Sequence, residues 1–262
     1  MKIKKIFISI SICILMILVA QAQSNKIDGL TVVAPPSPIS ENAITKVKSS
    51  NADWITLVPY GFTRSDGPPQ VIFDMDRQWW GERPEGVRKT IKMAKARDIK
   101  VMVKPQVYMH GKWIGDLSYD NDADWQAWEA AYFKYIDTLI TIAEEEGAEL
   151  FCIGTECKKS IQQRPQYWNK LIDNARSKFS GQLTYSSNWD AYHQIPFWDQ
   201  LDFIGISAYF PLTEDKTPRV EDLKTHWRPI VKKLRKYARR HNKQILFTEF
   251  GYLSIDGCAY RA

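Results

Sequence analysis

A sevenfold alternation constrains the fold more than any other feature of the sequence. Short apolar runs recur along the 262-residue chain at Leu30–Ala34, Trp54–Tyr60, Ile99–Pro105, Leu150–Thr155, Leu183–Ser187, Phe203–Ala208 and Gln244–Thr248. They are near-continuous in apolar residues rather than strictly alternating, the pattern of strands covered on both faces. Between them lie a capped polar segment at Ser40–Ser49, a helix opened by Arg83 and Pro84 with Val87, Ile91 and Ala94 at helical spacing, and a long helix Asp122–Glu145 ending at Gly147. Further helices span Gln166–Phe179 and Val220–Arg240, and Gln106–Asn121 reads as a loop holding Tyr108, His110 and Trp113. Strand–helix–strand units pair in parallel through right-handed crossovers. No glycine-rich phosphate loop follows the first strand, so the expected fold class is α/β, a (β/α)8 TIM barrel rather than a nucleotide-binding sheet.

Only a short tail follows Thr248, whereas a closed eightfold barrel needs another helix, strand and closing helix. An open parallel barrel would leave the edges of strands one and seven unpaired. The expectation is a single barrel domain over residues 23–262, truncated after strand seven with strand eight missing. Residues 1–22 read as a secretory signal: Lys2, Lys4 and Lys5 precede the apolar run Ile6–Val19, which ends in Ala20-Gln21-Ala22. That run is short for a membrane span, so a secreted protein with no stable membrane anchor is expected.

Three of the six net positive charges sit in that leader. The remainder is too dispersed for a nucleic-acid footprint, and the basic stretch Lys232–Arg240 has the spacing of a solvated helix face. Cys152, Cys157 and Cys258 remain after the leader. One pair could bridge, with Cys157 and Cys258 each following a distinctive Glu, or all three could be structural. The four His are scattered, and none makes zinc spacing with a Cys pair, so neither metal nor cofactor is expected.

Glu156 ends the fourth strand and Glu249 the seventh. A carboxylate beside a buried strand is costly unless something compensates it. In barrels of this kind reacting groups lie at the C-terminal strand ends, which would bring both Glu to one pocket. Two facing carboxylates can hydrolyse a glycosidic bond, one held protonated as acid and the other ionised. A gap of about 5 to 5.5 Å gives retention, and one of roughly 6.5 to 9.5 Å gives inversion. Alternatively, each Glu caps the helix that follows or pairs with a basic neighbour such as Lys158. Ten Trp among 13% aromatic residues supply flat faces for sugar rings as well as core volume.

The blocks LVPYGF at 57–62, KPQVYMHGKWIGDL at 104–117, LFCIGTE at 150–156, LTYSSNWD at 183–190, FWDQLDFIGISAYFPL at 197–212 and LFTEFGYLSIDG at 246–257 occur in that order. Over residues 28–262 the chain resembles glycoside hydrolase family 113, retaining β-mannanases of the large clan of (β/α)8 glycosidases. The resemblance implies that Glu156 is the acid/base, Glu249 the nucleophile and Tyr209 a hydrogen-bond donor to that nucleophile. It places Asn188 and Trp189 against the reacting sugar. Lys104 would bond sugar hydroxyls, tune the acid or pair with an acidic neighbour. Trp80 and Trp113 are the expected sugar platforms, with Trp79 and Tyr60 on the same open side. Two positions depart from the pattern: Gln106 stands where a His is expected after Lys-Pro, and Thr155 where many clan members carry Asn. The clan's strand-eight Trp beneath the sugar has no counterpart before Ala262. The implied activity is cleavage of internal β-1,4-mannosidic bonds in mannan or glucomannan by a secreted retaining enzyme. The alternatives are a hydrolase of another β-linked polysaccharide and a noncatalytic carbohydrate-binding barrel.

Overall fold

The computed structural model describes residues 26–260, so the leader expected at 1–22 lies outside the described residues. Seven parallel strands form one sheet: Gly29–Val32 (β1), Trp54–Leu57 (β2), Lys100–Val103 (β4), Leu150–Thr155 (β6), Gln182–Asn188 (β7), Phe203–Ser207 (β8) and Gln244–Glu249 (β9), in that spatial order. The strands Tyr60–Arg64 (β3) and Gln106–His110 (β5) pair separately. The sheet curls until β1 and β9 face each other across a cavity of about 570 Å³ lined by residues of both. Among the described residues no strand joins them. The architecture is seven strands of a (β/α)8 barrel.

The helices Glu41–Ser49 (α1), Pro84–Lys95 (α2), Asp122–Glu145 (α3), Lys158–Gln163 (α4), Pro165–Lys178 (α5) and Val220–His241 (α6) connect the strands. Their ends follow local chemistry. Pro84 and Pro165 occupy first-turn positions, where a missing N–H costs nothing. The Asn121 side chain accepts from the Asp124 N–H at 2.9 Å, and Gly147, at φ +70°, turns the chain after α3. The central strands β2, β6 and β8 are buried along their whole length, as parallel strands under helices must be. Half of the tryptophans serve this core: Trp54, Trp125, Trp128, Trp168 and Trp198 are all buried. Trp128 stacks on Tyr132 at 4.8 Å and Trp168 on Phe197 at 6.1 Å between centroids.

One sequence expectation is corrected. The segment opening at Gln106 is a strand, not loop. Pro59 and Pro105 interrupt the β2–β4 ladder because neither has an N–H. Pairing nevertheless resumes at once, with the Gln106 N–H donating to Pro59 O at 3.0 Å. The register then runs from Tyr60↔Gln106 to Arg64↔His110, with Val107 and Met109 buried and Tyr108 and His110 exposed. This ribbon carries strands two and three beyond the C-terminal rim of the sheet. The structure also decides between the two readings of the cysteines. Cys157 and Cys258 do not bridge: Cys152, Cys157 and Cys258 are all free thiols, and Cys157 points into the core, where burial pushes its thiol up to about 12.

Candidate active site

Glu156 reaches the rim through an irregular strand end. Pairing of β6 with β7 shifts register between Cys152 and Thr155, and Glu156 itself is left-handed at φ +56°. Its N–H donates to Ser186 O at 2.8 Å, which fixes the turn. A left-handed non-glycine residue costs roughly 1–2 kcal/mol. Here that conformation swings the carboxyl off the strand axis, while α4 starts two residues later.

Glu249 ends β9 beside a matching shift between Ile206 and Ser207 of β8, and Ala208 N–H donates to its carbonyl at 2.8 Å. Its Oε1 accepts from Lys104 Nζ at 2.5 Å and from Gln106 Nε2 at 3.0 Å, and its Oε2 accepts from the Tyr209 hydroxyl at 3.0 Å. Lys104 is fully buried, so its cation is spent on Glu249 inside the protein. Both oxygens of Glu249 therefore act as acceptors. Burial pushes the Tyr209 phenol up, and the neighbouring Glu249 carboxylate adds to the rise, so Tyr209 stays a donor.

Glu156 meets the opposite environment. Burial raises its carboxyl above the ordinary value; a hydrogen bond from Trp113 Nε1 to Oε2, at 2.7 Å, opposes the rise, and the charge of Glu249 reinforces it. Beneath the two acids the hydroxyls of Ser186, Ser207 and Thr248 satisfy one another, at 3.0 Å for Ser186–Ser207 and 2.6 Å for Ser186–Thr248. The floor of the site is thus buried and polar without unpaired hydroxyls among these three.

Glu156, Asn188, Trp189, Tyr209, Pro211, Glu249 and Tyr260 line one cavity of about 460 Å³. A second, of about 260 Å³, adjoins it at Tyr209 and Glu249 and is walled by Thr31, Tyr60, Lys104 and Gln106. Both acids, Tyr209, Asn188 and Trp189 thus come together around one cavity. Asn188 turns its Oδ1 onto the Trp189 N–H at 2.9 Å, and Trp189 packs on Phe210 at 5.8 Å. Trp113 touches Glu156 by its N–H rather than presenting a ring to either cavity. Trp80 stands apart, on a 3-10 turn whose backbone N–H bonds Pro36 O, and it lines neither cavity. Gln106, Pro211 and Tyr260 were not singled out as site residues. Gln106 carried a signal: two positions from Lys104 on an extended segment, it faces the same side. Tyr260 had none, because the loop after β9 carries no periodicity.

Residues 36–262 match Glycoside Hydrolase Family 113. No curated protein matches the chain. Among solved structures, the GH113 β-mannanase AaManA from Alicyclobacillus acidocaldarius, in complex with ManMIm, aligns with a TM-score of 0.75 at 24% identity, covering 90% of this chain and 75% of that one. A second GH113 β-1,4-mannanase aligns at TM-score 0.74 and 20% identity, covering 89% and 74%. A β-glucuronidase from Ruminococcus gnavus aligns at 0.56 and 14%, covering 87% of this chain and 35% of that one. At these identities the likeness is one of fold.

Proposed function

The chain belongs to glycoside hydrolase family 113, and from that premise we propose that it cleaves internal β-1,4-mannosidic bonds of mannan or glucomannan with retention of configuration. Glu249 attacks the anomeric carbon as Glu156 gives its proton to the departing glycosidic oxygen, forming a glycosyl ester on Glu249. Glu156, now ionised, takes a proton from water, and that water displaces Glu249 at the same carbon. Lys104, Gln106 and Tyr209 orient the nucleophile, and Tyr209 and Trp189 wall the reacting sugar.

The observation that supports this reading best is the contrast between the two carboxyls across one cavity. Glu249 accepts from three donors, one of them a cation, while burial holds Glu156 toward its protonated form. The test is hydrolysis of mannan, β-glucan and xylan by the full chain, with the first-formed product anomer followed by NMR. The expected result is mannan cleavage giving the β-anomer first. First formation of the α-anomer overturns retention, and preference for another glycan overturns the substrate. Glu249→Gln should abolish turnover while oligosaccharide binding persists. Unchanged behaviour in that variant points to a noncatalytic sugar-binding barrel.

A further inference from the structure

Trp113 is 37% exposed on a turn after β5, yet its position is determined. Gly111, at φ +86°, reverses the chain, and the flanking Ile114 and Leu117 are buried and anchor the turn. Gly115 lies flat against the indole: a Cβ there would fall 2.2 Å from the ring's Cη2. The N–H so placed donates to Glu156 Oε2 at 2.7 Å. An indole nitrogen can only donate, so Oε2 presents a lone pair to it whatever the charge on the carboxyl. That bond disfavours protonation of Oε2, the weaker acceptor once it carries a proton, and so biases a proton on Glu156 toward Oε1.

We propose that Trp113 is the positioning residue of the acid/base, its N–H selecting Oε1 as the oxygen that carries the transferable proton. The inference rests on the glycosidase reading and deepens it. Other groups that act on the Glu156 carboxyl are Glu249 from β9, Lys104 from the end of β4 and the hydroxyl of Ser207 on β8. Tyr209, Tyr185 and Cys157 lie near it as well. Lys104 is engaged by Glu249, and Tyr209 donates to Glu249. Ser207 bonds the carboxyl through a hydroxyl that can rotate, whereas Trp113 holds Oε2 through an N–H of fixed direction.

The test separates acid assistance from sugar contact. Trp113→Phe keeps an aromatic face and removes the donor. Against a mannooligosaccharide, whose leaving sugar needs a proton, kcat/KM should fall about tenfold. Against a dinitrophenyl β-mannobioside, whose leaving group needs none, the loss should stay under about twofold. Because the lost bond favoured the ionised carboxyl, the basic limb of kcat/KM on the oligosaccharide should move up by about one pH unit. Equal losses on both substrates overturn the proposal and leave a ring platform. Gly115→Ala displaces the indole without deleting it and should reproduce the same split; its absence in that variant also overturns the proposal. Glu156→Ala is the control: if it shows no dependence on leaving group, the glycosidase assignment fails instead. A readout independent of turnover is the indole ¹⁵N–¹H resonance of Trp113, which should titrate with Glu156 and lose that titration in Glu156→Gln. A resonance indifferent to pH overturns the bond.

Discussion

Glu156 concentrates the chemistry and the cost of this site in one residue. Its backbone is left-handed, at φ +56°, and burial raises its carboxyl pKa. Each feature opposes folding, and each suits an acid aimed into a cavity. The second has a definite sign in stability. Below the unfolded value of about 4.3 the group is protonated in both states and contributes no penalty. As pH rises from there through the raised folded value, the unfolded chain releases the proton first, and the native state loses stability. Glu156→Gln cannot titrate. The stability of that variant relative to the parent should therefore climb as pH rises from about 4 through the raised folded value, in denaturant melts below and above that rise. A difference independent of pH would mean that the carboxyl is not held toward its neutral form.

At the scale of elements, the strands work because they approach closely where small residues permit it. Gly205, in the middle of β8, pairs with Ser186, and a Cβ there would lie 2.1 Å from the Tyr185 carbonyl oxygen. The obstacle is backbone of β7, which cannot swing aside. Gly205→Ala should cost about 1–3 kcal/mol and lower the melting temperature, whereas Gly147→Ala meets no atom within 4 Å and is limited only by its φ of +70°. A neutral Gly205→Ala would show that the β7–β8 spacing is not fixed by this contact. The same physics explains what the sequence revealed. Seven apolar runs mark the seven strands; β2, β6 and β8 are covered throughout, whereas β1 and β9, at the two edges of the sheet, are largely exposed or half-buried. The two strand-end acids were legible for the same reason, as carboxyls standing against apolar runs. The β3–β5 ribbon was not, because Pro59 and Pro105 read as stops although each removes only one donor and pairing resumes beyond it. The bond from Trp113 to Glu156 was also illegible: it depends on where a turn closes in space, and the exposed ring looked like a sugar platform.

For the whole molecule, the site joins parts of unequal burial. Glu156 ends β6, which is buried throughout beneath α3 and α5. Glu249 ends β9, where Gln244 and Phe247 are exposed, and α6 before it buries only Leu234. Local opening free energy follows buried apolar contact, so α6 and β9 should exchange amide hydrogens well before β4, β6 and β7. Lys104 bonding Glu249 and β8 pairing β9 tie the two regions together. A sugar seated between the acids would add a third tie, made only in the closed form. A non-hydrolysable mannobiose mimic at a hundredfold excess over its Kd should then slow exchange in β9 by an amount equivalent to about 2.7 kcal/mol. Protection in β6 should rise by the same amount, because global unfolding destroys the sugar site as surely as local opening of β9 does. Added protection in β6 without any in β9 would show that β9 opens while the sugar stays bound, and that the end of β9 is not part of the sugar site.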